Sequence, residues 1–197
     1  MKSQKALLII DVQNDFCPGG TLGVPQAEKI IPAVNKYLKL FKKNKLPIFA
    51  TRDWHPPKTR HFKDFGGAWP AHCIQNTRGA AFHPRLKLPK EAVLLYKGMD
   101  PQEDSYSAFQ AEDTSGMDFL SLLKRLKISE LYVGGLATDY CVRSSVIDAL
   151  KQKFKVRLLM DAVRGVDFKK GDSEKTVKEM ITLGAKAITL NKIKERP

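Results

Sequence analysis

Residues 6–11 have the sequence ALLIID, a run of five apolar side chains that ends at the carboxylate of Asp11. A strand with one wet face alternates apolar and polar residues, so an unbroken apolar run indicates a strand buried on both faces. Strands of that kind belong to parallel sheets with helices on both sides, which bind ligands at the carboxyl ends of the strands. This stretch therefore predicts the class of fold and places Asp11 where a site is expected.

The rest of the chain alternates between apolar runs and segments in which apolar side chains recur with helical spacing. Further strands are predicted at residues 47–51, 92–96, 130–133, 155–160 and 186–190, and helices at residues 27–43, 119–126, 142–150 and 173–183. Gly134 and Gly135 are expected to begin a turn. The alternation predicts an α/β fold of three layers (αβα), with a six-stranded parallel sheet between helices, in a single domain over residues 1–197.

The composition excludes several classes of protein. Hydrophobic residues make up 43% of the 197 residues, which is enough for a folded core. No apolar run approaches the ~20 residues of a transmembrane helix, and the N-terminus lacks the pattern of a secretory signal. The three cysteines, Cys17, Cys73 and Cys141, are too few for a disulfide framework. We therefore expect a cytoplasmic protein with no membrane partner.

The charge raises nucleic-acid binding as an alternative. The chain has 34 Lys and Arg against 21 Asp and Glu, a formal net charge of +13. A basic face is the usual footprint of phosphate binding. Here the basic residues are scattered over several predicted helices without interleaved aromatic residues, so we expect a solvated surface and no nucleic-acid partner.

The long connection between the second and third strands carries the residue types of a metal site. Asp53 and His55 are two positions apart, on the same side of an extended segment, and His61 and His72 follow. Carboxylate and imidazole donors suit Zn²⁺, Fe²⁺ or Mn²⁺. A single histidine in a loop more often only forms hydrogen bonds, but this grouping favours a metal-binding loop insertion at about residues 53–90. Two other residues of ligand type in the loop are expected to have packing roles: Cys73 and His83.

Three residues near strand ends could carry out nucleophilic catalysis. Cys141 lies between a strand and a helix, where backbone N–H groups and the helix dipole favour a thiolate. Asp11 could accept a proton from the thiol. The Lys97 ammonium could keep Asp11 ionised and stabilise the thiolate electrostatically. Each has an ordinary alternative: a buried cysteine that packs, an aspartate that caps a turn, and a surface lysine. Their convergence at one edge of the sheet favours catalysis.

These features together resemble a known family, the nicotinamidases (also called pyrazinamidases) of the isochorismatase-like cysteine hydrolase superfamily. The matching blocks run in family order over roughly residues 6–190 and include the pair Lys97-Gly98. They are LIIDVQNDF at residues 8–16, GGTL at 19–22, TRDWHP at 51–56, GAWPAHC at 67–73, DSYSAF at 104–109 and GLATDYCV at 135–142. The blocks with Asp53, His55 and His72 are the most specific to nicotinamidases.

The resemblance implies hydrolysis of nicotinamide to nicotinate and ammonia in NAD salvage, and of pyrazinamide to pyrazinoate, through a cysteine thioester. It implies a catalytic triad of Asp11, Lys97 and Cys141. One divalent metal ion, zinc ahead of iron or manganese, would be bound by Asp53, His55 and His72, with His61 as an optional fourth ligand.

The resemblance also assigns the surroundings of the substrate, a small aromatic amide. The Leu136–Ala137 peptide would be cis, and the N–H groups of Ala137 and Cys141 would form the oxyanion hole. The ring pocket would be lined by Phe16, Leu22, Trp69, Tyr106 and Leu136.

Two alternatives stay open at this point. One is another amide or ester hydrolase of the isochorismatase-like superfamily, which would generally lack the metal ligands. The other is a basic nucleic-acid-binding or scaffolding protein on an inactive hydrolase fold. The sequence assigns no role to the polar insert at residues 100–103, and it leaves the oligomeric state open, including a homo-oligomer.

Overall fold

A single parallel sheet forms the centre of the protein. The computed structural model describes residues 4–193 and 197, and its strands are β1 (Gln4–Ile10), β2 (Ile48–Asp53), β3 (Val93–Lys97), β4 (Ile128–Leu136), β5 (Lys155–Arg164) and β6 (Lys186–Ile188). Their order is β3-β2-β1-β4-β5-β6, and every neighbouring pair is parallel. The predicted six-stranded parallel sheet is confirmed. The predicted domain bounds stay a prediction, since residues 1–3 and 194–196 lie outside the described residues.

Helices cover both faces of the sheet. They are α1 (Ile31–Lys43), α2 (Phe119–Arg125), α3 (Arg143–Lys151) and α4 (Asp172–Thr182). Side chains of β1 divide between two core clusters, with Leu7 and Ile9 in the cluster that includes α1. Leu8 and Ile10 belong to the cluster that includes α2 and α3. The unbroken apolar run of β1 thus has the physical cause inferred from the sequence, burial on both faces. Among the described residues, no helix is long and apolar enough to cross a bilayer.

The predicted turn at Gly134 and Gly135 is wrong, because both residues belong to β4. There they pair with Ile9 and Ile10 of β1. A Cβ atom at Gly135, whose φ is +120°, would lie only 2.1 Å from the carbonyl oxygen of Ile10. Glycine is required here by the close approach of the two strands, which a sequence pattern does not distinguish from a turn.

Other boundaries differ by a few residues. β2 continues to Asp53 and β5 to Arg164, whereas β6 ends at Ile188. The first predicted helix begins as a 3₁₀ turn over Ala27–Ile30, and a π-helical turn over Thr138–Val142 precedes α3. The connection from β2 to β3 contains one short 3₁₀ turn and several isolated bridges, yet it buries His55, His61, Phe62 and His72.

Candidate active site

The carboxyl ends of β1, β2 and β3 bring three charged side chains together. Asp11 directly follows β1, while Asp53 and Lys97 end β2 and β3 and pair with each other in the ladder. The Lys97 ammonium lies 2.9 Å from Asp11 Oδ2 and also forms an ion pair with the Asp53 carboxylate. All three side chains are buried, so their charges are little screened by solvent.

Asp11 is fixed by its backbone and by a neighbour. Its φ of 50° lies in the left-handed region, which is uncommon for residues with a side chain. Its N–H donates to the carbonyl of Thr51, and the Thr51 hydroxyl donates to Asp11 Oδ1 at 2.7 Å. One oxygen of Asp11 therefore accepts from Thr51, while the other lies against Lys97.

Cys141 lies in the π-helical turn between β4 and α3, as the sequence predicts for a residue between a strand and a helix. The Leu136–Ala137 peptide that leads into this turn is cis. The N–H groups of Tyr140 and Val142 both donate to the Ala137 carbonyl, which closes the turn. Cys141 Sγ lies 3.5 Å from Lys97 Nζ, so the thiol joins the charged group at the strand ends.

Burial and the neighbouring carboxylates oppose the helix-end effects that favour a Cys141 thiolate. Burial raises the pKa of the Cys141 thiol well above its ordinary value, and the lowering by Lys97 is opposed by Asp11, which accepts a hydrogen bond from the thiol. Burial also raises the pKa of Asp11, against the influence of Lys97. Burial works against the charge of Lys97 too, but the carboxylates of Asp11 and Asp53 raise its pKa well above the ordinary value. These shifts favour a Cys141 thiol that donates to Asp11 and the ammonium form of Lys97.

Three histidines from the long connection converge beside Asp53. One ring nitrogen from each of His55, His61 and His72 lies within 4.8 Å of the others. Asp53 Oδ2 is 3.8 Å from His55 Nε2 and 3.9 Å from His72 Nε2. The structure thus brings together the three predicted metal ligands and the optional fourth.

Two of the histidine rings form hydrogen bonds through Nδ1, which leaves the lone pair of Nε2 available to bind a metal ion. His55 Nδ1 donates to the Gly98 carbonyl at 3.0 Å, and His72 Nδ1 donates to the Pro70 carbonyl at 2.8 Å. Each proton is therefore on Nδ1 and each lone pair on Nε2. His55 Nε2 is buried and has no hydrogen-bond partner, which is rare for a polar atom unless a further group contacts it. A metal ion fits this set of donors.

Protonation also suits metal binding. Burial is the main cause that lowers the pKa of His72, to about 4, although Asp53 opposes it. Burial likewise lowers the pKa of His61, against the influence of Asp104. Burial would raise the pKa of Asp53, but Lys97 and His55 outweigh it and hold that pKa well below its usual range. Neutral imidazoles and an ionised carboxylate are the forms that bind metals.

Cys73 and His83 lie apart from this group of donors. The Cys73 N–H donates to the Asp15 carboxylate at 2.7 Å, and His83 Nδ1 accepts from the Arg85 N–H at 3.2 Å. Neither is among the described residues whose donor atoms converge. Their packing roles stay a prediction.

One cavity connects the thiol with the donor cluster. It has a volume of about 470 Å³, its open mouth included, and Cys141, Asp53, His61 and His72 line its wall. The Trp69 indole N–H donates to the Tyr106 hydroxyl at 2.8 Å, which fixes two of the aromatic walls. All the residues predicted for the ring pocket line this cavity: Phe16, Leu22, Trp69, Tyr106 and Leu136.

Four further lining residues were not predicted from the sequence: Val24, Ser105, Tyr140 and Val166. For two of them, the position in the sequence could have indicated a place in the cavity wall. Tyr140 precedes the candidate nucleophile, and Val166 lies two residues beyond the carboxyl end of β5, the edge where such sheets bind ligands. Val24 and Ser105 lie in irregular segments, where sequence spacing does not determine orientation.

This fold is that of an α/β hydrolase, the donor cluster beside its cavity suits a metal ion, and the comparison with known families agrees. The Isochorismatase domain family matches residues 5–192, so the chain belongs to the isochorismatase family.

Individual relatives narrow the comparison. A nicotinamidase of Escherichia coli is 38% identical, over 94% of this chain and 95% of its own. The crystal structure of a pyrazinamidase of Pyrococcus horikoshii in complex with zinc is 43% identical, with a TM-score of 0.88, and covers 95% of this chain and 99% of its own. PnC1 from L. infantum in complex with nicotinate is 31% identical, with a TM-score of 0.86, over 97% and 95% of the two chains. The resemblance read from the sequence is confirmed.

Proposed function

We propose that this protein hydrolyses nicotinamide to nicotinate and ammonia, and pyrazinamide to pyrazinoate, as part of NAD salvage. The observation that carries the proposal is the shared cavity, in which a nucleophile and a cluster of metal donors face a space between aromatic side chains. A small aromatic amide has two features to recognise, its ring and its carboxamide, and the two ends of the cavity suit them. The relatives named as nicotinamidases and pyrazinamidases support the same reaction.

The acylation half of the reaction uses Asp11 and Cys141. Asp11 accepts the thiol proton along the existing hydrogen bond, and the sulfur attacks the carboxamide carbon to form a C–S bond. We assign stabilisation of the oxyanion to the N–H groups of Ala137 and Cys141, each of which would contribute ~3–4 kcal/mol. The C–N bond then breaks, and Asp11 returns its proton to the departing nitrogen, which leaves as ammonia.

The second half of the reaction releases the acid. A water molecule replaces ammonia beside Asp11, which accepts a proton from it as the water oxygen attacks the thioester carbon. The C–S bond breaks and releases nicotinic acid, which ionises to nicotinate, while Asp11 passes the proton it took from water to the sulfur and restores the thiol. Lys97 stays an ammonium throughout and stabilises negative charge on Asp11 and on the sulfur in turn.

We assign metal binding to Asp53, His55 and His72, with His61 as the fourth ligand, and zinc as the metal ahead of iron or manganese. When bound, the ion supplies a Lewis acid at the end of the cavity that suits the pyridine nitrogen. The chain itself holds the ring between Phe16, Trp69 and Tyr106. Orientation of this kind is worth several kcal/mol in small-substrate reactions.

The test of the function is ammonia release from nicotinamide by the purified protein, before and after treatment with a chelator and after zinc is restored. We expect turnover that is lost on chelation and regained with zinc. Benzamide, which has no ring nitrogen, should be a poor substrate. Failure to hydrolyse nicotinamide by a zinc-loaded protein would contradict the proposal.

For the cell, we propose a cytoplasmic enzyme without a nucleic-acid partner. All three cysteines are free and buried, which suits a reducing compartment. The absence of a nucleic-acid partner is tested by RNA binding at several salt concentrations. RNA binding that strengthens steeply as the salt concentration falls, and that a nonspecific polyanion does not displace, would contradict it.

Lys97→Met should shift the reactivity of Cys141 to higher pH. Lys97 lowers the pKa of the thiol, so a neutral side chain of similar length leaves burial, Asp11 and Asp53 acting on it, and all three raise that pKa. The rate of alkylation by iodoacetamide, followed against pH, measures the shift. Melting should also occur at a lower temperature, because two buried carboxylates lose their counterion. Lys151→Met, at a lysine whose side chain is 70% exposed, is the control for loss of a charge. An unshifted alkylation profile for Lys97→Met would remove Lys97 from the site.

Gly98→Ala should release the metal. Gly98 has a φ of +70°, and a Cβ atom there would lie 2.4 Å from the His55 ring, so the ring must move. We expect loss of most bound zinc, measured by elemental analysis, together with ~1–3 kcal/mol of stability. Gly116→Ala is a matched control: its φ is +79°, but a Cβ atom there meets nothing within 4 Å. Equal zinc content in both variants would show that the Gly98 contact does not position His55.

A further inference from the structure

The polar insert that the sequence left without a role docks on the loop that carries His61. The Arg60 N–H donates to the carbonyl of Pro101 at 2.9 Å, and the Thr59 hydroxyl donates to the same carbonyl at 3.3 Å. Thr59 Oγ1 also accepts from the His61 N–H at 3.2 Å. The insert is therefore tied to the His61 loop by hydrogen bonds.

Asp104, directly after this insert, reaches the His61 ring. Its carboxylate forms a hydrogen bond with His61 Nδ1. The His61 side chain is 4% exposed, whereas that of Asp104 is 59% exposed, so a surface carboxylate holds a buried imidazole. The other two rings of the cluster differ, since backbone carbonyls hold them.

This contact has a direct chemical consequence. A carboxylate on Nδ1 keeps the imidazole proton there, leaves the lone pair on Nε2, and strengthens that nitrogen as a donor. It also fixes the rotation of the ring about its side-chain bonds. Without it, the ring could turn so that its nitrogens leave the cluster with His55 and His72.

We infer that Asp104 is a positioning residue that makes His61 the fourth ligand of the metal site. The inference rests on the metal site of the proposed function. It adds a residue outside the donor set and gives the insert a purpose: the segment from Gly98 to Asp104 holds two of the three histidines, one by a carbonyl and one by a carboxylate.

The test compares zinc affinity, by competition with a chromophoric chelator, in the full chain and in Asp104→Asn. We expect a loss of ~10- to 100-fold, the usual effect of removing an outer partner of a ligating histidine. Asp104→Glu should restore part of the affinity because it keeps the carboxylate. Glu103→Gln is the matched control, as it removes a charge from the adjacent exposed residue in the same polar cleft and should leave the affinity unchanged.

A second arm asks whether Asp104 acts through His61. In a His61→Ala background, Asp104→Asn should cause no further loss of zinc affinity, because neighbouring residues that act as a unit are not additive. The visible absorption of the cobalt-substituted protein should change in the same way in Asp104→Asn and His61→Ala.

Three results would overturn the inference: unchanged zinc affinity in Asp104→Asn, an equal loss from Glu103→Gln, or an undiminished loss in the His61→Ala background. Ammonia release from nicotinamide is measured on the same wild-type samples. Tight zinc binding without hydrolysis would contradict the proposed reaction alone and leave the role of Asp104 standing.

Discussion

Cys141→Ala should abolish nicotinamide hydrolysis, with a fall in turnover of ~10⁴-fold or more, while the protein stays folded. The sulfur forms the bond to the substrate carbon in the proposed reaction, and Cys141 Sγ groups with the Asp11 and Asp53 carboxylates and lies 3.5 Å from Lys97 Nζ. Alanine removes one atom from a buried site and leaves the turn that it belongs to. Ammonia release beside a thermal melt followed by circular dichroism measures both parts.

Cys17→Ala and Cys73→Ala are the matched controls. Both thiols are buried, and burial is the main cause that raises the pKa of each. Neither lines the cavity, so both variants should keep most of the activity. Substantial turnover in Cys141→Ala, or equal losses in all three variants, would contradict the assignment of the nucleophile.

His55→Ala should remove most of the bound metal and reduce nicotinamide turnover by ~10²-fold or more. His55 Nε2 is the buried nitrogen without a hydrogen-bond partner, and it faces Asp53, so its loss breaks the donor set at its centre. The charged group around the thiol would remain, so Cys141 should still be alkylated by iodoacetamide. Zinc content, turnover and alkylation rate are measured on one preparation.

His83→Ala is the control for this prediction, because His83 lies outside the donor cluster. It should change neither zinc content nor turnover. A benzamide-type ring, which has no pyridine nitrogen, should lose little activity on His55→Ala. A metal-free wild type that hydrolyses nicotinamide well would place the chain among metal-independent members of the superfamily.

The strands were predictable because burial on both faces of the sheet requires a run of consecutive apolar residues. The apolar run of β1 exists because both of its faces are covered, and that requirement acts on consecutive residues. Gly134 and Gly135 could not be assigned in this way. The need for glycine at Gly135 comes from the neighbouring strand β1, because the Ile10 backbone leaves no room for a side chain there.

The site was predictable as a set of residue types and through a resemblance, but its internal contacts were not. Spacing in the sequence suggested that Asp53 and His55 act together, and the histidines of an irregular loop could be grouped only by their number. The contact between Asp104 and His61 joins residues 43 positions apart through two such loops. The direction in which the pKa of Cys141 shifts could not be read from the sequence either, since it depends on the balance between burial and three neighbouring charges.

The residues that meet at the sheet edge lie far apart along the chain, so they are synthesised at different times. Lys97 is 44 positions from Asp53 and 44 positions from Cys141, so Asp11, Asp53 and Lys97 are all synthesised before Cys141. Ribosomes extend chains from the N-terminus at ~5–20 residues per second, so several seconds separate the first of these residues from the last. Cys141 thus emerges last of the four, after the residues that surround it. A chain whose translation stops before residue 141 lacks the proposed nucleophile, so we expect it to release no ammonia from nicotinamide.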